Sequence, residues 1–584
     1  MADGILVDKK IPLRVVVSRT LKYASQEKGA FIGAFILLLV NVFLGVLLPR
    51  ITGYFTDHLT SDVISMQTII IIAVASVVIS IVNQGLLFWE NMILTKAGQK
   101  IVYKLRMEVF EHIESMSQNQ FNEMPVGSLV TRVCNYTSQL SAFFTNVLVS
   151  ILRNVLTIVV VYIWMMVLSW QLGLILFGVV IIVFVISFFF SKIVHKLFSN
   201  ERKQISAMNT YINESLSGMK IIQIFNQEQR YAKRFFGENR KYFNYRFSII
   251  SAFSVYRPLI SFIYIASVAL ILSAGIGFGL TAGTIVAFYL YLGYFFQPVQ
   301  NLADQLNNIT RAMTAIERLF NLLDIPPEVL DVEDAVEIDE FKGKIEFRNV
   351  YFAYEKENWV LKDVSFVINP KETAAFVGAT GSGKTTILGL IVRNFEAQKG
   401  EILIDDIDIK KIKISSLRRA VGQMLQEVFL FTGSIKDNIT LFDEEYSDEE
   451  VYESIDYVNA GKFIRGLPEK INTKVIEKGE NFSAGQRQLL SFARTVLHKP
   501  QIMILDEATA NIDTETEVVI QKSLENIKNI GTMLVVAHRL STIQHSDKIF
   551  VLAKGEIIER GNHQELLKQH GYYYKLYKLQ FENN

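Results

Sequence analysis

Cysteine and a charge of one sign are what this chain most lacks. Cys134 is its single cysteine, which excludes an internal disulfide and any cysteine cluster for a metal. Its 59 Lys and Arg stand against 58 Asp and Glu, a net charge of +1. Bulk electrostatics therefore offer no footprint for a nucleic acid. The first apolar run has no small-residue cleavage site behind it, so no removable signal peptide is expected. Two long stretches between apolar runs are nearly free of Pro and Gly, which argues against floppy loops there.

What the chain has is length and two unlike halves. Its 584 residues are enough for two or more domains, at roughly 100–200 residues per domain. A bilayer core needs about 20 mainly apolar residues in helix. Six stretches qualify, near Phe31–Leu48, Ile69–Phe88, Val147–Leu168, Leu172–Phe190, Leu259–Leu280 and Thr284–Val299. Basic residues gather before the first (Lys9, Lys10, Arg14, Arg19, Lys22, Lys28), in the second connection (Lys96 to Arg132) and in the fourth (Lys192 to Arg246). By the positive-inside rule both termini and both long connections face the cytoplasm. Those connections read as membrane helices prolonged into the cytoplasm, with turning points in "NEMPVGSLVTRV" and "YINESLSGMKIIQIFNQE".

Two features inside the spans carry alternative readings. Arg153 and Asn154 fall within the third, where an arginine costs about 2.5–3.5 kcal/mol; they line a polar cavity, are paired within the bundle, or lie nearer the interface than these span boundaries place them. The aromatic row Phe288, Tyr289, Tyr291, Tyr294, Phe295 and Phe296 lines a cavity for apolar cations or serves packing and an interfacial belt.

After the acidic, Pro-containing linker at 321–342, the pattern becomes that of a soluble α/β domain over 343–584. "TAAFV" (Thr373–Val377) is a buried-strand pattern that runs into "GATGSGKTT" and the apolar helix "ILGLIVRNF". This is G-x-x-x-x-G-K-[ST] between strand and helix, the context the phosphate-loop pattern requires. Gly378, Ala379, Thr380, Gly381, Ser382, Gly383, Lys384, Thr385 and Thr386 make the loop. Its glycines let backbone N–H groups approach phosphate oxygens, Lys384 reaches the β- and γ-phosphates, and the Thr385 hydroxyl suits Mg²⁺. "QIMILDEATANID" supplies a second strand that ends in Asp506 and Glu507. A strand-terminal aspartate holds the Mg²⁺ shell in such sites, and the adjacent glutamate is placed to polarise a water. A third strand, "GTMLVVAHR", leads to His538, at the sheet edge where ligands collect.

One further stretch, "FSAGQRQLLSFARTVL" (Phe482–Leu497), reads as a helix with a capping box, Ser483 and Gln486, at its entrance. Leu489, Phe492, Ala493, Val496 and Leu497 follow at the spacing of one buried face. Ser483 and Gly485 at a helix N-terminus suit an anion.

These pieces together resemble the ATP-binding-cassette transporters, and among them the half-transporter exporters. The resemblance covers nearly the whole chain: a transmembrane domain at 31–320 behind a cytoplasmic segment at 1–30, then one cassette. It implies an α-helical bundle of six spans with long cytoplasmic extensions, followed by an α/β P-loop ATPase domain, with ATP and Mg²⁺ as ligands. It implies that Tyr354 stacks on adenine, that Gln426 links Mg²⁺, the attacking water and the membrane domain, and that Glu507 is the general base. Asp506 is then the Mg²⁺-associated aspartate, His538 the switch histidine, and Asp513 the end of the loop after the glutamate. Gly127–Arg132 and Glu214–Gly218 resemble the coupling helices, although Tyr136 stands where an aspartate is common. "FSAGQ" resembles the signature Leu-Ser-Gly-Gly-Gln, departing at Phe482 and Ala484. In that family each signature caps the γ-phosphate held by the other chain, so the resemblance implies a second half-transporter as partner. An altered signature beside an intact Glu507 and His538 resembles the competent subunit of an asymmetric heterodimer; a homodimer that tolerates Ala484 is the alternative.

The expected activity is ATP-driven export of hydrophobic or amphipathic small molecules across the cytoplasmic membrane, with lipid flipping or an ATP-gated channel as alternatives. An importer lacks these fused long helices, and a peptide exporter would carry a cysteine-containing domain before the first span. The orientation is directly testable. Cys134 should react with a membrane-impermeant thiol reagent in inverted vesicles or lysed cells only; labelling in intact cells would overturn the topology.

Overall fold

The structure, a computed structural model, describes residues 11–60, 66–355, 358–425, 427–506, 514–528, 530–536 and 543–581. Two compact units emerge: Met1–Glu114 with Met124–Ile325, and Ser115–Glu123 with Pro326–Asn584.

The first unit is all helix. An amphipathic α1 (Leu13–Ser25) precedes α2 (Lys28–Leu59) and α3 (Met66–Glu114). The third span runs unbroken from Val126 to Leu168 as α5 (Val126–Thr131), α6 (Thr137–Ala142) and α7 (Leu148–Leu168), joined by π-helical turns at Arg132–Tyr136 and Phe143–Val147. Then come α8 (Trp170–Ser217), the short α9 (Met219–Ile224), α10 (Glu228–Gly277) and α11 (Ala282–Leu323). The helix between α3 and α5, α4 (Gln118–Glu123), belongs to the second unit.

Six of the described helices are long and apolar enough to cross a membrane. At 1.5 Å per residue the 49 residues of α3 extend about 74 Å, more than twice a hydrocarbon core of about 30 Å. The same holds for α8 and α10, at 48 and 50 residues. Apolar runs thus mark only the membrane part of each helix, and the sixth continues to Leu323, well past Val299. One expectation needs correcting: Glu214–Gly218 is no helix of its own. Glu214 to Ser217 close α8, the N–H of Gly218 bonds back to the Glu214 carbonyl, and the separate short helix is α9.

Little hydrophobic force acts between helices in lipid, so close backbone packing and polar contacts hold them together. Asn41 and Asn83 exchange hydrogen bonds between α2 and α3, the Asn41 amide donating to Asn83 Oδ1 at 2.7 Å. The Tyr291 hydroxyl donates to the Val46 carbonyl at 2.7 Å, joining α11 to α2. Phe288, Tyr291, Phe295 and Phe296 are buried in the bundle core, whereas Tyr289 and Tyr294 are 45% and 38% exposed. Arg153 is paired: its Nη2 lies 2.7 Å from the fully buried Glu90. Where α2 meets the start of α11, Gly53 and Gly283 touch backbone to backbone, and Asp57 accepts hydrogen bonds from the Gly283 N–H and the Thr281 hydroxyl.

In the second unit an antiparallel sheet, in the order β2-β1-β4-β5, comprises β1 (Ile345–Ala353), β2 (Trp359–Ile368), β4 (Lys399–Ile404) and β5 (Ile407–Asp408). The six-stranded sheet runs β12-β11-β3-β10-β9-β6, from β3 (Thr373–Gly378), β6 (Val421–Met424), β9 (Ile502–Asp506), β10 (Thr532–Val536), β11 (Lys548–Ala553) and β12 (Glu556–Gly561). Its pairings are parallel except at β12. A two-stranded ribbon pairs β7 (Gly433–Ser434) with β8 (Lys474–Val475). Against this unit α4 is tied by Gln120, which donates to the Pro326 carbonyl at 2.8 Å, and by Ser117, which donates to Glu328 at 2.9 Å.

A methyl group at Gly283 would run into the Gly53 carbonyl and Asp57. Gly283→Ala should therefore destabilise the first unit by about 1–3 kcal/mol, seen as a lower thermal midpoint in detergent. Gly293→Ala, where the added methyl meets nothing within 4 Å, is the matched control and should leave the midpoint unchanged.

Candidate functional site

Register brings the strand ends together. Phe376 of β3 pairs with Val536 of β10, which pairs with Asp506 of β9. The phosphate loop and Asp506 therefore leave the same carboxyl edge, one strand apart. Met424 of β6 pairs with Leu505, so the chain beyond β6 departs from that edge too. Gln426, Glu507, His538 and Asp513 lie outside the described residues. By chain position Glu507 follows Asp506, and His538 is two residues past the end of β10.

The loop at Gly378–Thr386 is held open by backbone geometry. Gly381 has φ +79° and Gly383 φ +104°, left-handed values that disfavour a side chain. A Cβ at Gly383 would also come within 2.6 Å of Leu361. Gly383 caps α12 (Lys384–Ile391), whose first N–H groups have no intrahelical partner and therefore face the loop's hollow. Lys384 is buried, and its ammonium donates to the carbonyls of Gly378 at 2.8 Å and Ala379 at 3.0 Å. The buried Ser382 hydroxyl has no hydrogen-bond partner among the described residues, while Ala379, Thr380, Gly381 and Thr385 are exposed. A cradle of N–H groups, an enclosed ammonium and an unsatisfied hydroxyl fits the polyphosphate of a nucleotide.

Tyr354 stands over the start of α12. Its hydroxyl is 3.0 Å from the Thr386 hydroxyl, and its ring packs edge-on against Phe352 and Phe395, at 4.9 and 5.2 Å between centroids. The ring stays 45% exposed, which leaves a face for a base to stack on.

The helix Ala484–Leu497 begins with the expected capping box. The Gln486 N–H donates to Ser483 Oγ at 3.2 Å, and the Ser483 N–H donates to Gln486 Oε1 at 3.0 Å. Ser483 and Ala484 are exposed and Gly485 is buried. Phe482 turns inward, 6% exposed and edge-on to Phe463. Arg487 fixes the loop by donating to the carbonyls of Phe482 and Gly479, at 2.8 and 3.2 Å.

The same helix holds a residue that the sequence did not reveal as important. Arg494 donates from Nε to the Asn438 carbonyl at 2.7 Å and from Nη1 to the Phe429 carbonyl at 3.2 Å. Burial pulls its pKa below the ordinary value. The buried Asn438 in turn bonds the backbone of Phe431 on both sides, at 2.7 and 2.8 Å. The segment just after Gln426 is thus stitched to the helix whose exposed end is Ser483. A guanidinium between Ala493 and the apolar Val496 and Leu497 is the only trace of this in the sequence.

Comparisons with known proteins agree with this arrangement. Residues 31–299 match the ABC transporter transmembrane region family, and residues 361–510 match the ABC transporter family. The chain is 37% identical over 503 residues to the Probable multidrug resistance ABC transporter ATP-binding/permease protein YheH of Bacillus subtilis (strain 168), covering 84% of this chain and 74% of that one. It is 33% identical over 521 residues to the ATP-dependent lipid A-core flippase of Syntrophus aciditrophicus (strain SB), covering 88% and 86%. The fold is shared with a solved structure of a bacterial Atm1-family ABC exporter with ATP bound, at a TM-score of 0.78 and 25% identity, over 95% of this chain and 98% of that one. The chain therefore belongs to the ABC exporter half-transporters: it is a multi-pass membrane protein with a nucleotide-binding ATPase domain coupled to transport.

Proposed function

We propose that this chain exports hydrophobic or amphipathic small molecules outward across the cytoplasmic membrane, as one half of an asymmetric pair, with its ATPase domain on the cytoplasmic side. The observation that carries the reading is the helix at Ser483. Its capping box satisfies the loop from within, while Ser483 and Ala484 remain exposed. An N-terminus left open in this way suits an anion brought by a second chain. The methyl of Ala484 stands where that anion's approach needs bare backbone, so the site capped by this chain turns over slowly. The productive site uses this chain's Lys384, Gln426, Glu507 and His538 against the partner's signature.

Within that site the phosphate loop and Lys384 bind the polyphosphate, and Tyr354 stacks on adenine. Glu507 takes the proton of the attacking water, and His538 contacts the γ-phosphate. Thr385, Gln426 and Asp506 would hold Mg²⁺, which supplies charge neutralisation when bound. Ser483, Gly485 and Gln486 cover the partner's nucleotide. Segments at Gly127–Arg132 and at the turn from the end of α8 into α9 carry cassette closure to the bundle. A second reading, outward flipping of a lipid, is favoured by the similarity to a lipid A-core flippase.

Glu507→Gln should leave nucleotide binding intact and lower ATP turnover by about 100-fold or more, measured with the native partner present; near-wild-type turnover would remove Glu507 from its role. Lys384→Ala should instead weaken binding of a fluorescent ATP analogue. An ATPase screen of the purified pair over drugs and lipids separates the two substrate readings.

Symmetry is tested at Ala484. In an asymmetric pair Ala484→Gly should change steady-state ATPase only modestly, because the base is missing at the site it caps. A severalfold rise in the purified chain without any partner would make it a homodimer.

A further inference from the structure

Arg393 is the largest fully buried side chain among the described residues. It stands just past the C-terminal end of α12 with φ +54°, a left-handed backbone that disfavours a side chain. Closing the helix needs no arginine. The Arg393 N–H bonds the Leu390 carbonyl and the Asn394 N–H bonds the Gly389 carbonyl, and glycine would do the same with less strain. The use of a guanidinium here lies in what its side chain holds.

The guanidinium joins three segments of chain. Nη2 donates to the Leu330 carbonyl at 2.8 Å and to Glu396 Oε1 at 3.0 Å, and Nε donates to the same oxygen at 3.2 Å. Nη1 donates to the Ile412 carbonyl at 2.9 Å and lies 3.4 Å from Asp331 Oδ1. Asp331 Oδ1 also accepts from the Ile414 N–H at 2.9 Å. Leu330 and Asp331 belong to the linker, a few residues beyond the end of α11 at Leu323. Buried bonds to two carbonyls and two carboxylates suit the rigid fork of a guanidinium; an ammonium, a point charge on a flexible stem, cannot serve them all.

The opposite end of α12 carries Lys384 and the phosphate loop, and Leu388, Leu390 and Ile391 pack its body into the core. We propose that Arg393 is a positioning residue for ATP turnover: it pins the linker that follows the sixth span to the phosphate-loop helix, so that the two move as one piece. Nucleotide binding uses the N-terminal end of α12 and survives without the pin. What is lost is the mechanical path between the phosphate loop and the chain leaving α11, and turnover falls with it. This role presupposes that the phosphate loop holds the nucleotide, a reading that Lys384→Ala tests by itself: analogue binding as tight as wild type would sink that reading, whereas the pin fails on turnover.

The full-length protein, isolated with whatever partner co-purifies, is assayed for kcat and KM for ATP and for binding of a fluorescent ATP analogue. Arg393→Lys should lower kcat about tenfold, the ratio expected for one lost hydrogen bond to a charged group, with KM and analogue binding unchanged. Asp331→Ala, at a side chain 41% exposed, should lower kcat severalfold in the same pattern, and Asp331→Glu, which keeps the carboxylate, should recover most of it. Combined with Arg393→Lys, Asp331→Ala should cost nothing more, as for two partners in one contact. Glu337→Ala removes the exposed linker pair with Lys413 and should leave kcat unchanged. Unchanged kcat in Asp331→Ala overturns the proposal, as does an equal loss in Glu337→Ala or no recovery in Asp331→Glu. A parallel loss of kcat and analogue binding overturns it too, because Arg393 is then a plain support of the loop. Should Arg393→Lys not fold, the Asp331 series alone decides.

Discussion

Parallel strand pairing in register is the constraint on which the soluble unit depends. Because β3, β10, β9 and β6 pair side by side in the same direction, their carboxyl ends share one edge. Whatever follows each strand is delivered there: the phosphate loop after β3, Asp506 at the end of β9, and the chain toward Gln426 after β6. Helix α12 then begins at the loop, so its unsatisfied N–H groups face the same space. A one-residue slip of β9 against β10 would shift Asp506 off that edge and turn its side chain to the other face. Burial of Ile502–Leu505 and of Thr532–Val536 guards against such a slip.

In the first unit the controlling fact is the solvent. Hydrocarbon offers no partner to a backbone N–H or C=O, so each apolar run closes its own hydrogen bonds as a helix. The helices then meet where small residues permit, as at Gly53 and Gly283, or where polar groups find each other, as at Asn41 and Asn83. Gly218 ends α8, and Pro125 opens α5.

The helix Ala484–Leu497 is the clearest case of one element serving two ends. Its N-terminus is self-capped and open to solvent, while Arg494 on the same helix grips the segment after β6 through Asn438 and Phe429. That segment and the exposed Ser483 corner are thus joined through one helix and the hydrogen bonds of Arg494.

Much of this was legible in the sequence because it is local. Apolar runs of span length, the glycine-rich turn between strand and helix, the Ser483–Gln486 capping box and the strand ending at Asp506 all depend on near neighbours along the chain. Their physics is satisfied within a few residues. Tertiary structure decided what depends on distant partners. It settled Arg153 by bringing Glu90 to it across 63 positions, and it turned Phe288, Tyr291, Phe295 and Phe296 into core by placing other helices around them. It also gave Arg494 and Asn438 their importance and ended α8 later than Glu214. Spacing along one chain states which groups a helix or strand presents, but which of them are buried, paired or left unsatisfied depends on surfaces that only folding brings together.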